Sequence, residues 1–282
     1  MIEYGYYLLQ EVVIMSGTYS YFAYDGTYEG FLCVAVKCIN LRVFPAGVTV
    51  AGGGLSSGPS GGSGGAADAA DAADAAAFGA AGSCNEICYV RTNYDIAEKM
   101  HNFLAERACV QVQQMVVDGF LTDMRDRERA LIDLIARAVR FGACVADDYE
   151  HKSLRRIHEA ILDLYREEQS FFVELDPKEY KDAKTAVIDP HNMVLPVMKH
   201  DIIRKTDHAN LFIYDRRHNM VLFKKEDTDD IVDISRLNVK SREDVRCVYD
   251  SVWQYLVCGN HLNGSLVRRR RADYERLWYI AV

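Results

Sequence analysis

Residues 51–83, AGGGLSSGPSGGSGGAADAADAADAAAFGAAGS, constrain the fold more than any other stretch of this chain. The Gly/Ser half cannot supply a core and reads as a flexible linker. The Ala-Ala-Asp triplets favour helix locally, but a period of three builds no apolar stripe along a helix. Any folded body must therefore be assembled from the chain on either side. The expected organisation is an N-terminal strand–turn–helix part at 1–45 and a disordered insertion at 46–83. Residues 84–282 then complete the same domain. A sharper reading takes Val48–Ala51 as a strand feeding a glycine-rich phosphate loop. Gly52 and Gly54 fit a dinucleotide fingerprint, but position 57 is Ser, no patterned helix follows and no P-loop Lys is present. The linker reading is preferred.

Hydrophobic periodicity organises the rest. Thr18–Tyr24 is rich in strand-forming aromatics, and Asp25-Gly26 is turn chemistry. Phe31, Val34, Ala35 and Cys38 then recur on one helical face, with Thr27 placed as N-cap and Glu29 in the first turn. Beyond the linker, four helices are predicted. Ile96, Met100, Phe103 and Leu104 mark the first, and Met115, Val116, Phe120 and Leu121 the second. Leu131, Leu134, Ile135, Ala138 and Phe141 mark the third, which Gly142 stops. The fourth runs from Lys152 through Leu154, Ile157, Ile161, Leu164, Tyr165 and Phe171. The texture changes at Pro177. Thr185–Asp189 reads as a strand, His191–Lys205 as a short helix and LFIYDRRHNMVLF, 211–223, as a hairpin. The predicted class is α+β: mainly a helical bundle with a small antiparallel sheet and a long disordered Gly/Ala-rich insertion.

Charge and cysteine usage exclude several functions. A net charge of −8 argues against a protein that holds polyanions over its whole surface, so any nucleic-acid contact needs a local basic patch. The eight cysteines are scattered with no Cys-x-x-Cys pair, as expected of buried thiols in a reducing, cytoplasmic setting. Cys84-x-x-x-Cys88 lacks the third Cys of a radical-SAM cluster, because Arg91 stands there. The N-terminus is apolar but carries Glu3 and Glu11 without Lys or Arg, a poor signal peptide, and no membrane span is expected. No metal or cofactor is expected. His191, His200, His208 and His218 are spaced unlike any compact ligand motif.

Three groups of residues are candidates for function. Asp25 and Glu29 could form an acid–base pair, although turn and capping chemistry explains each locally and is the preferred reading. His200 and Arg204 lie one helical turn apart and could hold a phosphate or carboxylate; the alternative is a solvated helix face. The third group is basic. Residues 199–225 hold seven Lys and Arg against three Asp, with Arg216 and Arg217 at the predicted hairpin tip, free to reach phosphate oxygens. A second basic cluster, Arg268, Arg269, Arg270 and Arg271, precedes Tyr274 and Trp278. Arginines interleaved with aromatics suit single-stranded nucleic acid, or else form a solvated run or a partner-docking tail.

Several pieces, in order, carry a family resemblance. YDGTYEGFL (24–32), LYREEQSFF (164–172), IDPHNMVLPVMKHDIIR (188–204), LFIYDRRHNMVLF (211–223) and, more weakly, RRRADYERLW (269–278) resemble the bacterial "probable DNA metabolism protein" family, built around the domain of unknown function numbered 4130. The pattern departs from that family at Gln169-Ser170, Glu174-Leu175 and Leu211. The resemblance implies a setting in DNA repair or modification, beside a radical-SAM DNA repair enzyme as partner, with DNA or RNA as ligand. It implies no enzyme class. Three functions follow as expectations: an accessory protein that binds nucleic acid or a DNA-acting partner enzyme, a nucleic-acid-processing enzyme with Asp25, Glu29, His200 and Arg204 in one pocket, and an interaction scaffold.

Overall fold

The computed structural model describes residues 21–51, 87–175, 177–205, 210–225, 228–234, 237 and 239–262. Its contacts divide the chain into two units, residues 1–93 and 94–282.

The first unit is built on β1 (Tyr21–Tyr24), α1 (Tyr28–Leu41), β2 (Gly47–Val50) and β3 (Ile87–Tyr89). The strands form one sheet in the order β2-β1-β3, and both pairings are parallel. A parallel strand needs cover on both faces, and β1 answers with Phe22, Ala23 and Tyr24 all buried. Thr27 caps α1 as its sequence predicts, accepting the Gly30 N–H at 3.0 Å. The helix ends at Arg42, whose left-handed backbone (φ 54°) turns its N–H back onto the Cys38 and Ile39 carbonyls. The predicted stripe of Phe31, Val34, Ala35 and Cys38 is buried. One expectation is corrected here. The insertion was predicted to begin at residue 46, yet Gly47–Val50 is a strand, because β1 offers it a parallel ladder from Tyr21↔Gly47 to Tyr24↔Val50. Residues 52–83 lie outside the described residues.

The second unit begins with four helices: α2 (Tyr94–Arg107), α3 (Val110–Leu121), α4 (Arg127–Phe141) and α5 (Lys152–Glu174). All four helices were expected from the sequence, and Gly142 (φ 73°) ends α4. Val112, Met115, Val116, Leu131, Leu134, Ile135, Leu154 and Ile157 are buried. Two details differ from expectation. Phe141 is exposed, with the Arg140 guanidinium 5.0 Å from its ring centroid. On α2 the buried face runs through Ala97, Met100, His101 and Leu104, rotated away from Ile96 and Phe103.

The remainder is a five-stranded sheet in the order β4 (Lys178–Tyr180), β5 (Ala183–Ile188), β6 (Asn210–Asp215), β7 (Met220–Lys225), β8 (Thr228–Asp233). It is mixed rather than antiparallel: β5 and β6 run parallel, joined by α6 (Leu195–Lys205). The predicted hairpin is β6–β7, with Phe212↔Phe223 and Asp215↔Met220 in register. One sheet face packs Ile188, Ile213 and Leu222 against Leu195, Met198 and Ile202 of α6, with Leu121 of α3 and Leu164 of α5 in the same cluster. The other face packs Phe212, Tyr214 and Val221 against Val248, Tyr249 and Val252 of α7 (Val245–Leu262). Asp229 and Asp230 lie in β8, where Asp229 meets the largely buried Lys199 ammonium at 2.9 Å. The architecture is α+β. Among the described residues no helix is long and apolar enough to cross a membrane.

His101 is fully buried, and burial holds its imidazole down at about 4 against an ordinary 6.5. Between these values the unfolded chain binds a proton that the folded chain refuses. Stability is therefore lost as pH falls through 6.5, and the loss levels off below about 4. The shift corresponds to roughly 3 kcal/mol. Urea unfolding of the wild type and His101→Leu at pH 7.5, 5.5 and 4.5 is expected to show a wild-type loss over this range that the variant lacks.

Candidate functional site

Because β5 and β6 are parallel, they deliver their carboxyl ends to the same sheet edge, the side on which open α/β sheets hold ligands. The chain leaves β5 as Asp189-Pro190-His191-Asn192 and leaves β6 as Arg216-Arg217-His218-Asn219. The Arg216 N–H donates to the Ile188 carbonyl at 3.0 Å and holds the two exits together.

A third segment locks this edge from α5. The Glu167 carboxylate accepts three N–H groups: His191 N at 2.6 Å, Asn192 N at 2.8 Å and Asn192 Nδ2 at 2.7 Å. Asn192 Oδ1 in turn accepts the Asp123 N–H at 2.8 Å, and Met193 N donates to the Leu121 carbonyl. Pieces 164–172, 188–204 and 211–223, separate in sequence, thus converge on one edge.

The hairpin tip is organised by Asp215, whose side chain is fully buried. Its carboxylate accepts the His218 backbone N–H at 3.0 Å and meets His218 Nδ1 at 2.8 Å. Asn219, with a left-handed backbone (φ 53°), carries the chain into β7, and Arg242 donates to its side-chain oxygen. Arg217 lies across the edge, with Nη1 2.7 Å from His191 Nδ1 and Nε 3.6 Å from Asp189. Arg216 is exposed and makes no side-chain hydrogen bond or ion pair among the described residues.

The other predicted site residues lie as follows. His200 and Arg204 are exposed on α6, and Arg204 pairs with Asp201 at 2.8 Å. Asp25 and Glu29 belong to the first unit. The Asp25 carboxylate accepts Thr27 N at 3.0 Å and the hydroxyls of Thr27 and Thr92 at 2.6 Å each, and Glu29 is buried in the first turn of α1. The Thr27 contacts are those of a turn and a cap, and the Thr92 hydroxyl adds a long-range bond to the same carboxylate. Arg268, Arg269, Arg270, Arg271, Tyr274 and Trp278 lie outside the described residues. Among the described residues no three His, Cys, Asp or Glu side chains are grouped to hold a metal. The free thiols at Cys33, Cys38 and Cys88 are buried, whereas Cys144 is exposed.

Sequence reasoning did not single out Glu167, Asn192, Asp215 as a buried carboxylate, or Arg242. The available signal was the family-like pieces themselves, which contain the first three. Comparison of the chain with family models, with curated proteins and with solved structures finds no match.

The cap at residues 25–30 leaves no room beside Gly30. A Cβ there would stand 2.2 Å from Asp25 Oδ1 and 2.8 Å from Thr92 Oγ1. Gly30→Ala is expected to destabilise the first unit by about 1–3 kcal/mol, and Thr27→Ala by about 0.5–2 kcal/mol through loss of the cap together with the hydroxyl's bond to Asp25. Hydrogen exchange of the α1 amides in both variants measures the difference.

Proposed function

We propose that this chain is an accessory protein of DNA metabolism, in repair or modification, that binds nucleic acid through the β5–β6 carboxyl edge. The observation that carries the reading is the pair Arg216 and Arg217, exposed on a hairpin tip that Asp215, Asn219 and Arg242 hold rigid. Arg216 has its fork of donors unspent among the described residues, and a planar guanidinium suits phosphate oxygens. Three of the pieces that resemble the DNA metabolism family meet at this edge, which supports the same reading. In a chain of net charge −8, such a patch favours local contact with a strand over general adhesion to polyanions. The basic run at 268–271 would extend the contact, and Tyr274 or Trp278 would stack on bases. A radical-SAM repair enzyme, already on DNA, is the partner that the resemblance suggests.

Fluorescence anisotropy with a labelled 12-nucleotide single strand and its duplex, across a salt series, tests this proposal. Arg216→Ala/Arg217→Ala is expected to weaken single-strand binding roughly tenfold and to lower the salt slope by about 1.4, for two phosphates released. Unchanged affinity and slope in that variant would place the interface elsewhere.

A further inference from the structure

The same edge carries two histidines whose ring protons are fixed by their partners, and the fixing runs in opposite senses. An ionised carboxylate only accepts, so His218 presents Nδ1–H to buried Asp215, and its Nε2 is left as an acceptor. A guanidinium only donates, so His191 Nδ1 accepts from Arg217, and in the neutral ring the proton sits on Nε2. His218 is thus oriented as a base by a carboxylate behind it, while His191 is oriented as a neutral hydrogen-bond donor. Arg217, next to His218 in the chain, binds His191 directly. The His218 ring is one-fifth exposed and its Asp215 partner not at all, so the carboxylate is the buried end of the pair. Nucleophile-activating histidines are held in this way, with a third group fixing tautomer and direction.

We propose that this edge is a catalytic site for phosphodiester hydrolysis, with His218 as general base. The proposal rests on the reading that Arg216 and Arg217 bind phosphate. A water oxygen attacks phosphorus while His218 Nε2 takes its proton. The bond from phosphorus to the leaving oxygen breaks with its electron pair. His191 Nε2–H and the two arginines hold the non-bridging oxygens as charge grows on them. The leaving oxygen takes a proton from solvent and His218 releases one to solvent, so one water is consumed and a phosphomonoester and an alcohol are formed. This differs from the constellation expected from sequence, in which Asp25, Glu29, His200 and Arg204 shared the work.

The test uses the full chain with bis(4-nitrophenyl) phosphate and with the labelled 12-nucleotide strand, measuring binding and cleavage separately. His218→Gln is expected to lose cleavage by at least about a hundredfold, as removal of a general base does, and to keep strand affinity within about twofold. Arg216→Ala/Arg217→Ala is expected to weaken strand binding roughly tenfold and to lose cleavage as well. Nitrogen-15 NMR of the wild-type histidine rings is expected to show the proton on Nδ1 of His218 and on Nε2 of His191, a readout that does not depend on any variant folding. A wild type that binds the strand but releases no 4-nitrophenolate overturns the catalytic proposal and leaves the binding reading standing. A wild type that does neither overturns both. Cleavage undiminished in His218→Gln, or the reverse tautomers, also overturns the assignment of His218.

Discussion

The Glu167 carboxylate is the contact on which the rest of the second unit's edge depends. It stands on α5, a helix whose Leu154 and Ile157 are buried and whose Leu164 packs under the sheet. From there it accepts three N–H groups of the β5–α6 connection, two of them backbone. Those backbone donors fall where the chain has left β5 and not yet entered α6, so neither ladder nor helix can satisfy them. Left unpaired, the part-buried Asn192 N–H would cost about 1–3 kcal/mol, while the exposed His191 N–H could turn to solvent. One carboxylate therefore sets the path of Asp189–Asn192, and with it the position of His191 against Arg217.

Asp215 performs the matching task on the other exit. A fully buried carboxylate is expensive unless its lone pairs are filled, and here a backbone N–H and a ring nitrogen from the same turn fill them. The result is a tip in which the polar interior is spent on geometry and the cationic exterior remains available. The helical bundle shows a similar economy. Asp118, buried between α3 and α5, accepts from Tyr165 at 2.7 Å and from Gln114 at 2.8 Å. Burial still pushes its carboxyl above the ordinary range, with both hydrogen bonds opposing that shift.

What was legible in the sequence was local. The α1 cap at Thr27, the stripes of α3, α4 and α5, the stop at Gly142 and the β6–β7 hairpin each follow from spacing or turn chemistry within a few residues. What was not legible depends on distant partners. The strand at Gly47–Val50 exists because β1 pairs with it. β4 is three residues long and β8 is acidic, so neither advertises a strand without the neighbour that supplies its ladder. The parallel pairing of β5 with β6 decides that the Asp-Pro-His-Asn and Arg-Arg-His-Asn segments emerge together, and no periodicity encodes it. Helix α7 did carry a signal, with Val245, Val248, Tyr249, Val252 and Trp253 at helical spacing, and its stripe is what covers the second sheet face. The position of Arg216 and Arg217 at the hairpin tip was legible from charge and turn chemistry alone. Glu167, whose partners lie 24 and 25 residues away, was not.

The central claim is that one edge of the mixed sheet, and not a diffuse surface, meets the nucleic-acid backbone. The most direct measurement is backbone-amide NMR of the isotopically labelled full chain, titrated with a short single-stranded oligonucleotide at low and at physiological salt. The account predicts that the largest shift changes fall on His191, Asn192 and residues 216–219, and that they shrink as salt rises. Changes concentrated on the α7 face of the sheet or on the first unit, with residues 216–219 unmoved, would contradict it.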